Sequence, residues 1–413
     1  VLKFSFLNLH TLFYTLKIKI RLKKASKYDE VPGFYLFLNS SLIVDILRML
    51  SLKIVPNLAN SIDFIRNMIY AMSAAYVIFS VCYKGVKKKL ISILGFILLV
   101  LATSLMAHPE IGQFLMDDII VFLMRVLTGA FLFTYLTDYE RAIRIQLRYL
   151  PLVWLYIILF ISVGTNENYM GFSYCLIIPC VVYTIYGYEF KNPVYFITGV
   201  ISLIPISFWG ARGALATGIV AVALYFLFSS KLTMKKIIII VVTSISAFGI
   251  ASNLQSIAIY MLNKFGYSRT LSIIASGELW TGGGRNTIQE IIVRGITILP
   301  HGLFADRIAL SIALGVSVDK VSYPHNLFLE ILYQYGAIFG SIIVIGLLFL
   351  LIRTWNQVIK NDNGYIKILF YAYVITFLFK STISGSYLTD YTSGIALGIC
   401  LGLRRNRKGI RNV

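Results

Sequence analysis

The chain alternates between long apolar runs and short polar breaks, and the runs set the frame. Twelve of them follow one another at roughly 33–50, 65–83, 89–107, 118–137, 149–164, 173–188, 194–209, 213–229, 236–252, 326–352, 366–384 and 388–403. A helix crossing a bilayer needs about 20 predominantly apolar residues. Runs of this length and spacing predict an all-α, polytopic integral membrane protein with about 12 transmembrane helices. Residues 1–31 break the pattern. They are basic and amphipathic, with Lys17, Lys19, Arg21, Lys23 and Lys24 interrupting the apolar positions, and they predict a cytoplasmic or interfacial segment rather than a cleavable signal. Between the ninth and tenth runs lies the one long polar stretch. The expected organisation is therefore 1–31 basic segment, 32–252 helices one to nine, 253–325 one large structured external loop, 326–403 helices ten to twelve, and 404–413 basic tail.

Composition agrees with the runs. Of 413 residues, 58% are apolar and 14% charged, against about 45–50% and 25% in soluble domains. The formal net charge is +20, which in a soluble chain would suggest nucleic acid. Here the cations gather in alternate breaks: 84–89, 141–148, 231–236, 353–367 and the tail from Arg404 to Arg411. The breaks near 107–117 and 165–172 hold no Lys or Arg. That bias places both termini in the cytoplasm and turns the charge excess into an insertion signal. No nucleic-acid partner is expected. The four cysteines (Cys82, Cys175, Cys180 and Cys400) all fall inside apolar runs without metal-ligand spacing.

Inside the external loop, residues 254–262 and 286–299 carry helical periodicity, the second ended by Pro300. Turn signals lie between them, at Ser276-Gly277-Glu278 and Thr281-Gly282-Gly283-Gly284. At the end of the loop stands Tyr323-Pro324-His325-Asn326-Leu327-Phe328-Leu329-Glu330. Asn326, Glu330 and Gln334 are four apart and share a helix face, which should turn inward because polar groups at membrane depth are costly. Gly336 and Gly340 form a small-xxx-small pair, permitting close helix contact.

Several residues can carry chemistry. Arg212 lies in the tight turn Trp209-Gly210-Ala211-Arg212-Gly213-Ala214, beside exposed helix N–H groups, an arrangement suited to an anion; the plainer reading is an interfacial Arg. Arg285 follows Gly282, Gly283 and Gly284, whose flexible backbone can approach phosphate oxygens; the plainer reading is an ordinary turn. His325 is one of four histidines; a lone His is more often structural than catalytic, and the plainer reading is a helix-start residue. Arg125 and Lys380 lie within apolar runs with Asp45 as an acidic counterpart; they either contact an anionic substrate or pair with one another. No cluster has metal-ligand spacing and no Gly-x-Ser-x-Gly elbow occurs, so neither a metal nor a cofactor is expected.

The order of these motifs is informative. A Gly-Ala-Arg-Gly-Ala turn precedes a large loop with Gly-Gly-Gly-Arg. Then come Leu299-Pro300-His301-Gly302-Leu303 and Tyr323-Pro324-His325-Asn326-Leu327-Phe328-Leu329-Glu330, ending in Tyr335-Gly336-Ala337-Ile338-Phe339-Gly340. This resembles the bacterial O-antigen polymerase and O-antigen ligase superfamily, in detail from Trp209 to about Ile352. The aromatic often found a few residues after the loop Arg is absent here, where Thr287, Ile288 and Gln289 stand.

The resemblance implies a metal-independent, inverting membrane glycosyltransferase at the outer face of the bacterial cytoplasmic membrane. Its substrate would be a glycan on undecaprenyl diphosphate. Arg212, Arg285 and His325 would be catalytic. Asn326, Glu330, Gly284, Arg125 and Lys380 would bind substrate. Besides membrane lipid, a chain-length regulator is a candidate partner. Polymerase, making O-antigen or a related capsule or exopolysaccharide, is favoured over ligase, which would deliver the glycan to lipid A–core. Two other classes stay open: a polysaccharide transporter, which the intramembrane cations would suit, and a structural assembly partner, in which both arginines would tolerate Ala.

Overall fold

The computed structural model describes residues 31–54, 59–83, 87–163, 169–209, 211–228, 253–265, 269–277, 285–321 and 323–410. The expected basic segment up to residue 30, the ninth apolar run and Gly284 lie outside them. Every described element is helical, and no strand occurs among the described residues. Three helices are long and apolar enough to cross a membrane, Tyr169–Glu189, Leu327–Ile359 and Gly364–Ile383. The bent pair Tyr139–Leu147 and Leu150–Ser162 makes a fourth if taken as one span. Shorter apolar helices accompany them, among them Arg212–Phe228 and Tyr391–Leu403. Membrane association follows from these helices. Twelve spans are not confirmed among the described residues, where Val31–Ile54, Ala59–Tyr83 and Lys87–Ala107 form further long helices.

Two spans form the centre and one the edge. Tyr169–Glu189 and Gly364–Ile383 are each 67% buried inside the bundle, whereas Leu327–Ile359 is 11% buried and shows Ile338, Phe339, Ile342, Ile345, Phe349 and Ile352 to the outside. The main core is dominated by aromatic rings, with Phe37, Phe133, Tyr156, Phe160, Phe172, Tyr183, Tyr225, Tyr371 and Tyr373 fully buried.

Three departures from regular helix shape the molecule. A π-helical segment, Phe122–Leu127, joins Met116–Val121 to Thr128–Tyr135. A second, Phe370–Ile375, lies in the Gly364–Ile383 span. Such bulges turn the following side chains relative to a straight helix, and Arg125 falls in the first, while Lys380 follows the second.

The third departure is Gly336, with φ 74° and ψ 165° inside Leu327–Ile359, a conformation open essentially to glycine alone. A Cβ on Gly340 would stand 2.8 Å from Leu332 Cα. In a straight helix residues eight apart are separated by about 12 Å. The chain therefore folds back at Gly336, and the spanning part is 337–359, about 34 Å long at 1.5 Å per residue. The Gly336/Gly340 pair thus serves a hairpin within this segment, not a contact with a neighbouring helix. Close helix contact comes instead from Gly394, Gly398 and Gly402 on Tyr391–Ile410. A Cβ on any of them would run into the backbone carbonyl of Val126, Ala130 or Phe133, respectively.

Part of the expected external loop is ordered as helices Leu254–Phe265, Arg269–Ala275, Arg285–Gly295 and Ala305–Leu314. The first and third match the two periodic stretches, and the third ends at Gly295, before Pro300.

Candidate functional site

The polar face of the Leu327–Ile359 helix points inward, and its first turns are tied on three sides. Asn326 is the N-cap, its side chain accepting from Phe328 N at 3.0 Å and Leu329 N at 3.3 Å. Glu330 is fully buried. Its carboxylate accepts from Ser386 Oγ and from Tyr387 N at 3.3 Å. Gln334, also fully buried, donates through Nε2 to Asp306 Oδ1 at 2.5 Å and accepts from Tyr387 Oη. Its carbonyl receives His301 N at 3.1 Å and Gly302 N at 3.0 Å. Next door, Arg307 pairs with Asp118. These bonds clamp the loop helix Ala305–Leu314 and the turn 384–390 onto the folded-back segment. Asn326 and Glu330, expected to bind substrate, are thereby engaged in the protein's own framework.

The clamp holds His325 in place. Its φ is 55°, in the left-handed region that non-glycine residues enter at a cost. Pro324 before it and the capped helix after it fix that conformation. The ring lies against Tyr323, with centroids 4.5 Å apart. Burial pushes the imidazole pKa down to about 4, and the charge of Arg285 adds to the shift. His325 is therefore neutral at pH 7. Arg285, first residue of Arg285–Gly295, acts electrostatically on both His325 and Tyr174. Arg212 opens the helix Arg212–Phe228. A Cβ on its neighbour Gly213 would lie 3.1 Å from Tyr174 Oη. Tyr174 thus lies against the start of the Arg212 helix and within the field of Arg285.

Tyr174 and Tyr323 also line a cavity of about 420 Å³. Its walls come from the ends of many elements: Arg66, Asp117 and Asp118, Arg125, Lys380, and the turn Ser384 to Tyr391. Lys380 Nζ is 2.7 Å from Asp390 Oδ2 and 4.2 Å from the centre of the Tyr174 ring. Arg125 donates to Ser40 Oγ, and to Ser41 Oγ at 2.8 Å. The expected pairing of Arg125 and Lys380 with one another or with Asp45 does not occur. Asp45 accepts instead from Cys175 Sγ at 3.0 Å and Tyr156 Oη at 3.3 Å.

So the structure gathers His325, Arg285 and the start of the Arg212 helix around Tyr174 at the edge of a cavity that also contains Arg125 and Lys380. Tyr174, Arg66, Asp117 and Asp390 are not among the candidates read from the sequence, where Tyr323 stands only as part of a motif. A signal existed for Asp390: Ser384-Gly385-Ser386-Tyr387-Leu388-Thr389-Asp390 is a polar break a few residues after an intramembrane Lys. Among the described residues no three His, Cys, Asp or Glu side chains group closely enough to hold a metal ion. No protein-family model, curated protein or solved structure matches the chain.

Proposed function

We propose that the protein is a membrane glycosyltransferase that polymerises undecaprenyl-diphosphate-linked oligosaccharide repeat units into O-antigen or a related surface polysaccharide. The twelve-span topology with both termini in the cytoplasm belongs to this reading, and it puts the cavity at the outer face. The observation carrying it is His325 held at φ 55° against Tyr323, a wall of the cavity that Tyr174, Arg125 and Lys380 also line, with Arg285 acting on the imidazole. The motif order described above supports it.

The chemistry asks little beyond that. A sugar on diphosphate already has a good leaving group. The acceptor hydroxyl oxygen attacks the anomeric carbon. The bond from that carbon to the diphosphate oxygen breaks, and the electron pair leaves with the diphosphate. Arg285, with Arg212, holds the departing anion, for which the planar fork is suited. His325 takes the hydroxyl proton. Burial, with the charge of Arg285 added to it, keeps the imidazole weakly basic while the site is open. The negative charge of a diphosphate beside it offsets that of Arg285 and favours proton uptake by the imidazole when substrate is bound.

The test is the length of the glycan made in cells. Removing one transition-state donor costs about 10²–10³ in rate. Arg212→Lys, Arg285→Lys and His325→Ala should each leave single repeat units or short chains at unchanged protein level. Arg141→Ala, in a helix that does not line the cavity, should leave chain length as it is. Wild-type chains from both Arg→Lys variants would overturn the proposal. Normal polymer that fails to reach lipid A–core would make the protein the ligase.

A further inference from the structure

Arg125 is the one charged group among the largest fully buried side chains, 1% exposed. Its guanidinium lies over three rings, 4.2 Å from the centroid of Tyr70, 4.4 Å from Tyr391 and 5.2 Å from Phe37. Ser40 and Ser41 take two of its N–H groups. Every one of these partners is neutral. Asp117 and Arg66 line the same cavity as Arg125, and three other carboxylates nearby are committed elsewhere. Lys380 holds Asp390 and Arg307 holds Asp118. Asp45 is bonded to Cys175 and Tyr156 and feels Arg48 more strongly than Arg125. No carboxylate stands within 4.0 Å of Arg125 among the described residues.

A cation withdrawn from water without a counter-anion is destabilising, and intramembrane charge of this kind marks substrate paths. The guanidinium has five donors in all, so the two given to serines leave others for a ligand. The cavity reaches it, since Ser41, Tyr70, Arg125 and Tyr391 all line the same space. Two features hold this group where it is. The π-segment Phe122–Leu127 presents Arg125, and the glycine-mediated contact of Tyr391–Ile410 with that segment lays Tyr391 over it.

We propose that Arg125 is a second anion subsite, distinct from the Arg212–Arg285–His325 edge, and takes the phosphate-bearing headgroup of the acceptor. The inference rests on the glycosyl-transfer reading, in which donor and acceptor are both lipid-linked and each carries a diphosphate. Separateness follows from the partners. Arg285 reaches His325 and Tyr174, none of the Arg125 partners is among them, and Arg285 does not line the cavity. The Lys380–Asp390 pair lies between the two sites, with Lys380 on Tyr174 and Asp390 next in sequence to Tyr391. A volume of about 420 Å³ accommodates a headgroup and leaves the polyprenyl chain in lipid. The aromatic walls offer faces to the first sugar.

Native mass spectrometry of the full chain with undecaprenyl diphosphate counts the bound anions. Wild type should bind two, and Arg125→Gln and Arg285→Gln one each. Arg125→Lys should weaken one site roughly tenfold or more through loss of the fork, which keeps the test open if the Gln variant fails to fold; Ser41→Ala should weaken the same site. Inorganic pyrophosphate supplied alone separates the sources. Occupancy needing the lipid supports a lipid headgroup, and equal occupancy by pyrophosphate overturns the acceptor assignment. One bound lipid, unaffected in Arg125→Gln and lost in Arg285→Gln, would overturn the second subsite and leave the glycosyl-transfer reading standing. No bound lipid in wild type would overturn both.

Discussion

Gly336→Ala tests the hairpin that delivers His325 to the cavity. At φ 74° and ψ 165° a residue with a Cβ is strained by about 1–3 kcal/mol. The added methyl would also stand 2.4 Å from Ile298 O and 2.7 Å from Leu299 C. Both are backbone atoms and neither can swing away. Relief requires 297–302 to move off, which endangers the bond from Ala337 N to Thr297 O at 2.7 Å and the two that Gln334 O receives from His301 N and Gly302 N. At about 0.5–1.5 kcal/mol each, losing two or three brings the total with the strain to about 2–7.5 kcal/mol. Gly346 in the same segment is the internal control. Its Cβ would meet nothing within 4 Å, and Gly→Ala within a helix stabilises by about 0.5–1 kcal/mol. Thermal unfolding in detergent should therefore show a large fall in midpoint for Gly336→Ala and none for Gly346→Ala, with polymer length following the same order. Equal midpoints for the two variants would refute the hairpin.

Two further predictions concern the clamp and its histidine. Asn326→Ala should lose about 1 kcal/mol as a missing N-cap, whereas Asn326→Ser should keep both stability and activity; loss of activity in the Ser variant with normal stability would make Asn326 a ligand contact. His325 has a folded pKa of about 4, below its unfolded value of about 6.5. Its neutral form therefore contributes stability that is fully present above about pH 6.5 and is lost as pH falls towards 4. Asp306, pushed up by burial, contributes the opposite slope over an overlapping range. The check is therefore the difference between wild type and His325→Gln in unfolding midpoint against pH. It should shrink on acidification, and a constant difference from pH 7 to 4 would contradict the assignment.

Much of this was legible in the pattern of residues. The four-residue spacing of Glu330 and Gln334 announced an inward face, and both are fully buried. The periodic loop stretches became helices. What the spacing could not say is which groups would meet that face, because Ser386, Tyr387 and Asp306 come from other parts of the chain and only packing brings them together. Glycines were the harder case. Gly336-x-x-x-Gly340 and Gly394-x-x-x-Gly398-x-x-x-Gly402 look alike as strings, yet the first folds a segment back on itself and the second seats one helix on another. Nothing local distinguishes a glycine used for its φ from one used for its size. Likewise the two π-segments, the first holding Arg125 and the second preceding Lys380, leave no signature in composition.

The claim at the centre of this account is glycosyl transfer from a lipid diphosphate by the protein's own side chains. Purified protein in liposomes, given undecaprenyl-diphosphate-linked repeat units in excess chelator, tests it most directly. A ladder of polymer on the lipid carrier is expected, reduced about 10²–10³-fold in rate by Arg285→Lys or His325→Ala. Movement of the lipid-linked unit across the bilayer with no glycosidic bond formed, or a ladder that returns only when one metal is restored, would contradict it.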